Sequence, residues 1–158
     1  MLPEEGVSGK AEFFRQLTRF KELFGRDPDH IDIHKPRPHN YPQVEQLLMQ
    51  YSKEKSIPVR NLGYAKLIKS FFGLNIDGSG PLNESRVTVE GFSKALKEVE
   101  DGFNEIMCHV GYSDGELRKL SSYSDIREKE LATLTSDDAK QLIRENGITL
   151  CNWNDVKF

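Results

Sequence analysis

Helix-forming and strand-forming segments alternate along this chain. From Ser8 to Phe24 the apolar residues recur at helical spacing, and Gly25 follows as a residue that ends a helix. Short apolar runs typical of strands separate this segment from later ones of the same kind, and we count about four of them. A regular succession of helix and strand implies right-handed crossovers. The sequence therefore predicts an α/β fold with parallel strands and outer helices, either as an open sheet or as part of a (β/α) barrel.

The predicted elements can be placed along the chain by the same patterns. Helices are expected at 8–24, 42–54, 65–72, 89–100, 122–134 and 136–146. Strands are expected at 30–34, 57–60, 103–109 and 148–153, and a rim or lid loop at 75–85. Ser122 and Asp125 are expected to form a capping box at the start of the fifth helix.

Composition narrows the class of protein. The chain has 158 residues, enough for one domain over 1–158 with its own core. A net charge of −3 gives no reason to expect nucleic acid or an anionic membrane as a partner. No apolar run approaches a membrane span and the first residues lack a signal-peptide pattern, so we expect a cytoplasmic protein. Cys108 and Cys151 are expected to be buried, reduced thiols.

The segment His30-Ile-Asp-Ile-His34 is an unusual strand, because three titratable side chains share one face. Side chains two residues apart on a strand are separated by ~6.6 Å and those four apart by ~13 Å. With metal–nitrogen bonds of ~2.1 Å, Asp32 and His34 can share a metal ion, whereas His30 and His34 cannot without a bend. This geometry favours His34 as a ligand and leaves His30 as a wall or hydrogen-bonding residue.

A second histidine, His109, also ends a predicted strand, where α/β folds carry their reactive groups. Two imidazoles at strand ends suit metal-assisted hydrolysis, although a lone strand histidine is more often a core residue. His39 follows two prolines, and either substrate contact or plain exposure fits it. For Arg127 the pattern allows an inward ion pair but favours a solvent-exposed helix face. Trp153 is expected to be a core residue, in preference to an aromatic side chain that stacks on a sugar ring.

Five segments together carry a resemblance to a known family. They are 16–20 with Phe24-Gly25, 27–34, 57–60, 105–112 with Asp114, and 123–134. The pattern Pro28-x-His30-x-Asp32-x-His34 is specific when it is combined with Met107-Cys108-His109. In order and spacing these segments resemble the YdjC-like carbohydrate deacetylases, which include chitooligosaccharide deacetylases, over nearly the whole chain.

The resemblance implies a barrel-like α/β fold, of which this chain would form about half to three-fifths. It implies hydrolysis of an N-acetyl group from an amino sugar with a divalent metal, Mg²⁺ or Zn²⁺. His34 would be the metal ligand, and Asp32 would orient that imidazole, touch the substrate or act as a base. His109 would be the catalytic acid or a substrate ligand, and Arg127 would hold a structural or charge-orienting position. His30 and His39 are the further candidates for substrate contact.

Two family elements, Asp-Asp-Phe-Gly and Gly-x-His, have no counterpart here. We therefore expect the C-terminal part of a deacetylase, truncated or split and inactive alone, that forms a homodimer or joins a complementing N-terminal half. A non-catalytic remnant that binds a sugar or a protein is one alternative. A metal-dependent phosphoesterase is another, since Lys35 and Arg37 lie beside His34.

Overall fold

The computed structural model describes residues 7–32, 42–60, 62–74 and 80–156, with side chains from residue 9 onward. The chain divides into two compact units, Met1–Ala65 with Cys151–Phe158 and Lys66–Leu150. The predicted loop at 75–85 lies in part outside the described residues. Whether 1–158 is a single domain stays a prediction. In the described part of the chain no helix has the length and apolar character needed to cross a membrane.

The first unit begins with two packed helices. Helix α1 spans Val7–Phe24 and α2 spans Pro42–Lys55, so both sequence predictions are confirmed. Gly25 ends α1 with a left-handed φ of +66°, a backbone conformation that glycine adopts without steric cost. The rings of Phe13 on α1 and Tyr51 on α2 meet edge to face, with centroids 5.1 Å apart.

The predicted polar strand pairs with the next predicted strand at a single parallel bridge, between Ile31 and Val59. The Ile31 N–H donates to Pro58 O and the Arg60 N–H donates to Ile31 O, each at 2.9 Å. The parallel neighbour relation is therefore confirmed. The second half of the predicted strand, residues 33 and 34, lies outside the described residues.

The second unit contains a two-stranded parallel sheet. Strand β1 (Lys66–Ile68) pairs with β2 (Asn104–Ile106), with Leu67 opposite Glu105. The strand expected at 103–109 is thus confirmed in its first half, whereas the helix expected at 65–72 is wrong. A short apolar run fits a strand or a helix equally by periodicity. Pairing with β2, which is distant in sequence, decides in favour of a strand.

Helices cover the core of this unit. They are the 3₁₀ turn Glu84–Val87, α3 (Val89–Leu96), α4 (Gly115–Leu120), α5 (Ile126–Thr135) and α6 (Asp137–Glu145). The buried core consists of Ile68, Phe71, Phe72, Val87, Phe92, Ala95, Leu96, Tyr123, Ile126 and Ala139. Helix α3 packs on the 3₁₀ turn, α5 and α6. The α/β class with parallel strands is confirmed, and the fraction of a barrel stays a prediction.

The start of α5 differs from the predicted capping box. Asp125 is the N-cap residue, but its side chain makes no capping hydrogen bond. Its carboxylate instead accepts a hydrogen bond from Arg118 Nε of α4, at 2.7 Å. Helix α4 itself was not predicted, although Asp114 caps it by accepting the Leu117 N–H at 2.8 Å. A six-residue helix is too short to show a clear apolar period.

The strand expected at 148–153 is wrong, because these described residues hold no strand. Trp153–Asp155 forms a 3₁₀ turn with a capping box. Asn152 accepts the Asn154 N–H through its side-chain oxygen, and the Asp155 carboxylate accepts the Asn152 N–H, each at 2.8 Å. Cys108 and Cys151 are exposed, so the prediction of two buried thiols is also wrong.

Candidate active site

The six predicted site residues fall into three groups. His34 and His39 lie outside the described residues. His30 and Asp32 belong to the unit Met1–Ala65 with Cys151–Phe158. His109 and Arg127 belong to the unit Lys66–Leu150.

His30 is oriented by its neighbour in the chain. Its Nδ1 lies 2.7 Å from Asp29 Oδ1, and because a carboxylate can only accept, Nδ1 donates. This hydrogen bond from His30 holds the pKa of the Asp29 carboxyl below its ordinary value. The imidazole also stacks on the Trp153 ring, with centroids 5.3 Å apart and planes inclined by 10°. With its side chain 34% exposed, His30 is fixed in orientation but open to solvent on one side.

Asp32 is held by an ion pair. Its Oδ2 accepts a hydrogen bond from Arg60 Nη1 at 2.5 Å, and 42% of its side chain is exposed. The sequence predicts that Asp32 and His30 share one face of a strand. In the structure Asp32 is exposed and paired with Arg60, whereas His30 is paired with Asp29.

His109 lies three residues beyond β2, at the carboxyl end of that strand. Its main-chain N–H donates to Glu130 Oε2 at 2.5 Å. Its ring lies 5.2 Å from the Phe72 ring and 5.4 Å from the Tyr123 ring, measured between centroids. The imidazole is therefore held both through the main chain and by two aromatic neighbours.

The carboxylate that holds His109 is itself buried. Glu130 has 0% exposure, and its Oε1 accepts a short hydrogen bond from the Tyr123 hydroxyl. The same hydroxyl accepts the Gly73 N–H at 3.2 Å. Burial, and then the hydrogen bond to Glu130, raise the pKa of Tyr123 well above that of an ordinary tyrosine. Tyr123 is thus a neutral donor to the carboxylate at physiological pH.

Arg127 supports this cluster from the first turn of α5. Its Nε donates to Tyr123 O at 2.6 Å, and its guanidinium lies 5.9 Å from the centroid of the Tyr123 ring. The half-buried Arg127 therefore does not lie on a solvated face, as the sequence had favoured. Its neighbour Glu128 is exposed and accepts the Ser113 N–H at 2.7 Å.

Sequence reasoning assigned no role to Glu130 or Tyr123. A signal was present on α5, where the buried positions Ile126, Glu130 and Thr133 recur at helical spacing. A glutamate on the inward face of an amphipathic helix needs hydrogen-bond donors, because an unpaired buried charge is costly. That pattern could have indicated a partner, but not which one.

The motif resemblance implies a divalent cation, which would need several ligating side chains close together. Across residues 7–32, 42–60, 62–74 and 80–156, no three His, Cys, Asp or Glu side chains come together as a site that could hold a metal ion. The described donor set thus does not fit a metal site by itself, and the expected ligand His34 lies outside it.

Comparison with known proteins identifies relatives over most of the chain. The family model for YdjC-like proteins matches residues 10–145. A carbohydrate deacetylase from Clostridium beijerinckii is 33% identical over 153 residues, covering 93% of this chain and 60% of that relative. A chitooligosaccharide deacetylase from Escherichia fergusonii is 32% identical over 177 residues, covering 98% of this chain and 63% of the relative.

A solved structure supports the same fold. The crystal structure of a protein from Enterococcus faecalis V583, described as a cellobiose-phosphate cleavage protein, superposes with a TM-score of 0.69 and 22% identity. The match covers 94% of this chain and 60% of that one. The chain thus spans about three-fifths of the length of these relatives.

Proposed function

The chain belongs to the YdjC-like protein family, and from this we propose that it carries part of the active site of a carbohydrate N-deacetylase. The substrate class is an N-acetylated amino sugar, such as a chitooligosaccharide. The named relatives support this assignment, since one is a carbohydrate deacetylase and another a chitooligosaccharide deacetylase. The observation in this chain that carries it is His109, an oriented imidazole at the carboxyl end of a parallel strand.

The proposed reaction is hydrolysis of an acetamide. Water adds to the acetyl carbonyl carbon, the carbon–nitrogen bond breaks, and acetate and a free amine leave. The amine nitrogen must gain a proton as it departs, and His109 is the residue of this chain that we assign to supply it. The attacking water must lose a proton, and Asp32 is the side chain of this chain that we assign to accept it. His30, His39 and Arg127 are proposed to contact or orient the substrate.

A divalent cation, Mg²⁺ or Zn²⁺, with His34 as a ligand remains part of the proposal on the strength of the sequence motif alone. When bound, such an ion polarises a carbonyl oxygen. Because the described residues do not form a metal site by themselves, the roles above are assigned only to side chains of this chain. Association with a second copy or with a complementing N-terminal half likewise stays a prediction.

Acetate release is the test of the proposed activity. We would assay the chain on N-acetylglucosamine and chitooligosaccharides with added Mg²⁺, added Zn²⁺ or a chelator, measuring acetate and free amine. Since the chain spans about three-fifths of its relatives' length, a chimera is assayed beside it. In the chimera this chain replaces the aligned segment of the Clostridium beijerinckii relative.

The decisive variant is His109→Gln, which keeps the main-chain N–H that Glu130 accepts but removes the titrating ring. We expect kcat for acetate release to fall by about 10²–10⁴-fold. Cys108→Ser is the matched control, because Cys108 is adjacent and exposed, and it should retain full activity. The proposal would be contradicted if neither the chain nor the chimera released acetate, or if His109→Gln kept full activity. Phosphate released from sugar phosphates would instead favour the phosphoesterase alternative.

A further inference from the structure

Glu130 is the only charged side chain that is buried among the residues that the structure describes. Removing a carboxylate from water is costly, and a well-packed apolar side chain of similar size often stabilises a fold more. The position on α5 thus carries a group that stability alone does not favour. Its hydrogen bonds indicate what the carboxylate does.

The two oxygens of Glu130 connect the loops that follow both strands of the sheet. Oε2 accepts the main-chain N–H of His109, beyond β2, at 2.5 Å. Oε1 accepts the Tyr123 hydroxyl, which in turn accepts the Gly73 N–H, beyond β1, at 3.2 Å. One carboxylate on α5 therefore fixes the two loops against each other at the carboxyl ends of the strands.

The His109 ring lies close to the groups that form these bonds. The main chain of His109 is tied to Glu130, while the ring lies beside the rings of Phe72 and Tyr123, at 5.2 and 5.4 Å. Tyr123 contacts both groups, because its hydroxyl donates to the Glu130 carboxylate and its ring lies beside the His109 imidazole. Loss of the carboxylate would release the main chain and allow the ring to leave this location.

We propose that Glu130 is a positioning residue that holds the His109 imidazole in place, acting through the His109 main-chain N–H and the Tyr123 hydroxyl. The proposal rests on the proposed function in one respect, namely that His109 donates a proton to the departing amine. Whether Glu130 fixes the location of the ring can be measured without any reaction.

Helix α5 offers a matched control in Glu128. This second carboxylate also accepts a main-chain N–H from the loop after β2, that of Ser113 at 2.7 Å, but it is exposed. The Glu130→Gln and Glu128→Gln substitutions therefore remove the same charge from the same helix. They differ in which main-chain group loses its carboxylate.

The first measurement is NMR on the whole chain, comparing the His109 amide and ring protons in the parent and in both variants. In Glu130→Gln we expect the His109 amide to exchange with solvent about 10- to 100-fold faster, because a hydrogen bond to a charged group is lost. We also expect the ring-proton shifts of His109 to change, since they depend on its location beside two aromatic rings. Glu128→Gln should leave both observables at the parent values.

Tyr123→Phe is the second variant, for the case that Glu130→Gln does not fold. It keeps the aromatic ring beside His109 and removes the hydroxyl that donates to Glu130. Because Glu130 keeps its hydrogen bond to the His109 N–H but loses its second donor, a smaller increase in the exchange rate is expected, together with changed ring shifts. Unchanged observables in the folded variants, or equal changes in Glu128→Gln, overturn the positioning role.

Kinetics separate positioning from general structural support. Acetate release by Glu130→Gln should show a lower kcat, by about tenfold to a hundredfold, with KM unchanged, because misplacing a reacting group costs rate rather than binding. A KM increase at unchanged kcat overturns the role. If neither the parent chain nor the chimera releases acetate, the proposed function fails, while the NMR comparison still decides whether Glu130 positions His109.

Discussion

Replacing Gly91 by alanine tests how tightly the covering helices are packed in the unit Lys66–Leu150. Gly91 lies in the first turn of α3, and its N–H donates to the Thr88 capping hydroxyl at 3.1 Å. A Cβ atom added there would lie 2.2 Å from Arg86 O and 2.7 Å from Ser85 O. Both are main-chain atoms in or beside the preceding 3₁₀ turn. No side-chain rotation can relieve these contacts.

Two effects of opposite sign determine the result. Alanine is favoured over glycine in a helix by about 1 kcal/mol. Overpacking costs about 1–3 kcal/mol, and this site belongs at the upper end because the 3₁₀ turn would have to move as a unit. Arg86 resists such a movement, since its Nη1 donates to Leu74 O at 3.1 Å. We therefore expect Gly91→Ala to lower the free energy of unfolding by about 2 kcal/mol.

The assay is urea denaturation followed by far-ultraviolet circular dichroism, with the slope of the transition checked for constancy. Gly115→Ala is the matched control, because Gly115 begins α4, its added Cβ meets nothing within 4 Å, and it is absent from the glycines with positive φ. The control should be as stable as the parent, or more stable by up to about 1 kcal/mol. Parent-like stability in Gly91→Ala would refute the steric reasoning, and an equal loss in the control would show that the loss is not caused by packing.

Three further outcomes follow from the buried and hydrogen-bonded groups. Because Tyr123 keeps its proton in the folded protein beyond the pKa of about 10 at which an unfolded chain loses it, the free energy of unfolding should fall as pH rises above that value. In Tyr123→Phe the free energy of unfolding, measured by urea denaturation at several alkaline pH values, should fall less steeply with pH. The same dependence on pH in the parent and the variant would contradict the reasoning. The lowered pKa of Asp29 stabilises the folded protein above the ordinary pKa of the carboxyl, and this stability is lost as pH falls through the pKa of the folded state. His30→Gln should raise the Asp29 pKa in a carbon-13 NMR titration. No change would count against the hydrogen bond as the cause. Phe71→Ala should lower the free energy of unfolding by about 3–5 kcal/mol, as measured by urea denaturation, because Phe71 has 0% exposure and its ring centroid lies 5.4 Å from that of Phe92. A loss below about 1 kcal/mol would show that the site collapses around the smaller side chain.

Local patterns predicted the elements whose residues interact mainly with their own neighbours in sequence. The apolar period and Gly25 located α1, and Ser136 located the start of α6, where its hydroxyl accepts the Ala139 N–H at 3.1 Å. The predictions for 65–72 and 148–153 are wrong because each segment is a short apolar run. For such a run, the presence or absence of a pairing partner decides the structure.

The candidate site shows the same division. The sequence predicts His109 as the last residue of a strand, whereas β2 ends at Ile106 and His109 follows three residues later. It did not connect His109 with Glu130, since the two residues are 21 positions apart and lie on different elements. Such a pair follows from how α5 lies against the loop after β2.

The sequence by itself determined the family, the α/β class and the principal helices, because motifs, helix periods and caps depend on residues within a few positions of one another. Only the tertiary structure decided that 66–68 is a strand, that both cysteines are exposed, and that a buried carboxylate holds His109. The physical reason is that strand pairing, burial and hydrogen bonds to a buried charge join groups that are distant in sequence, and their free energy exists only once the elements have packed together.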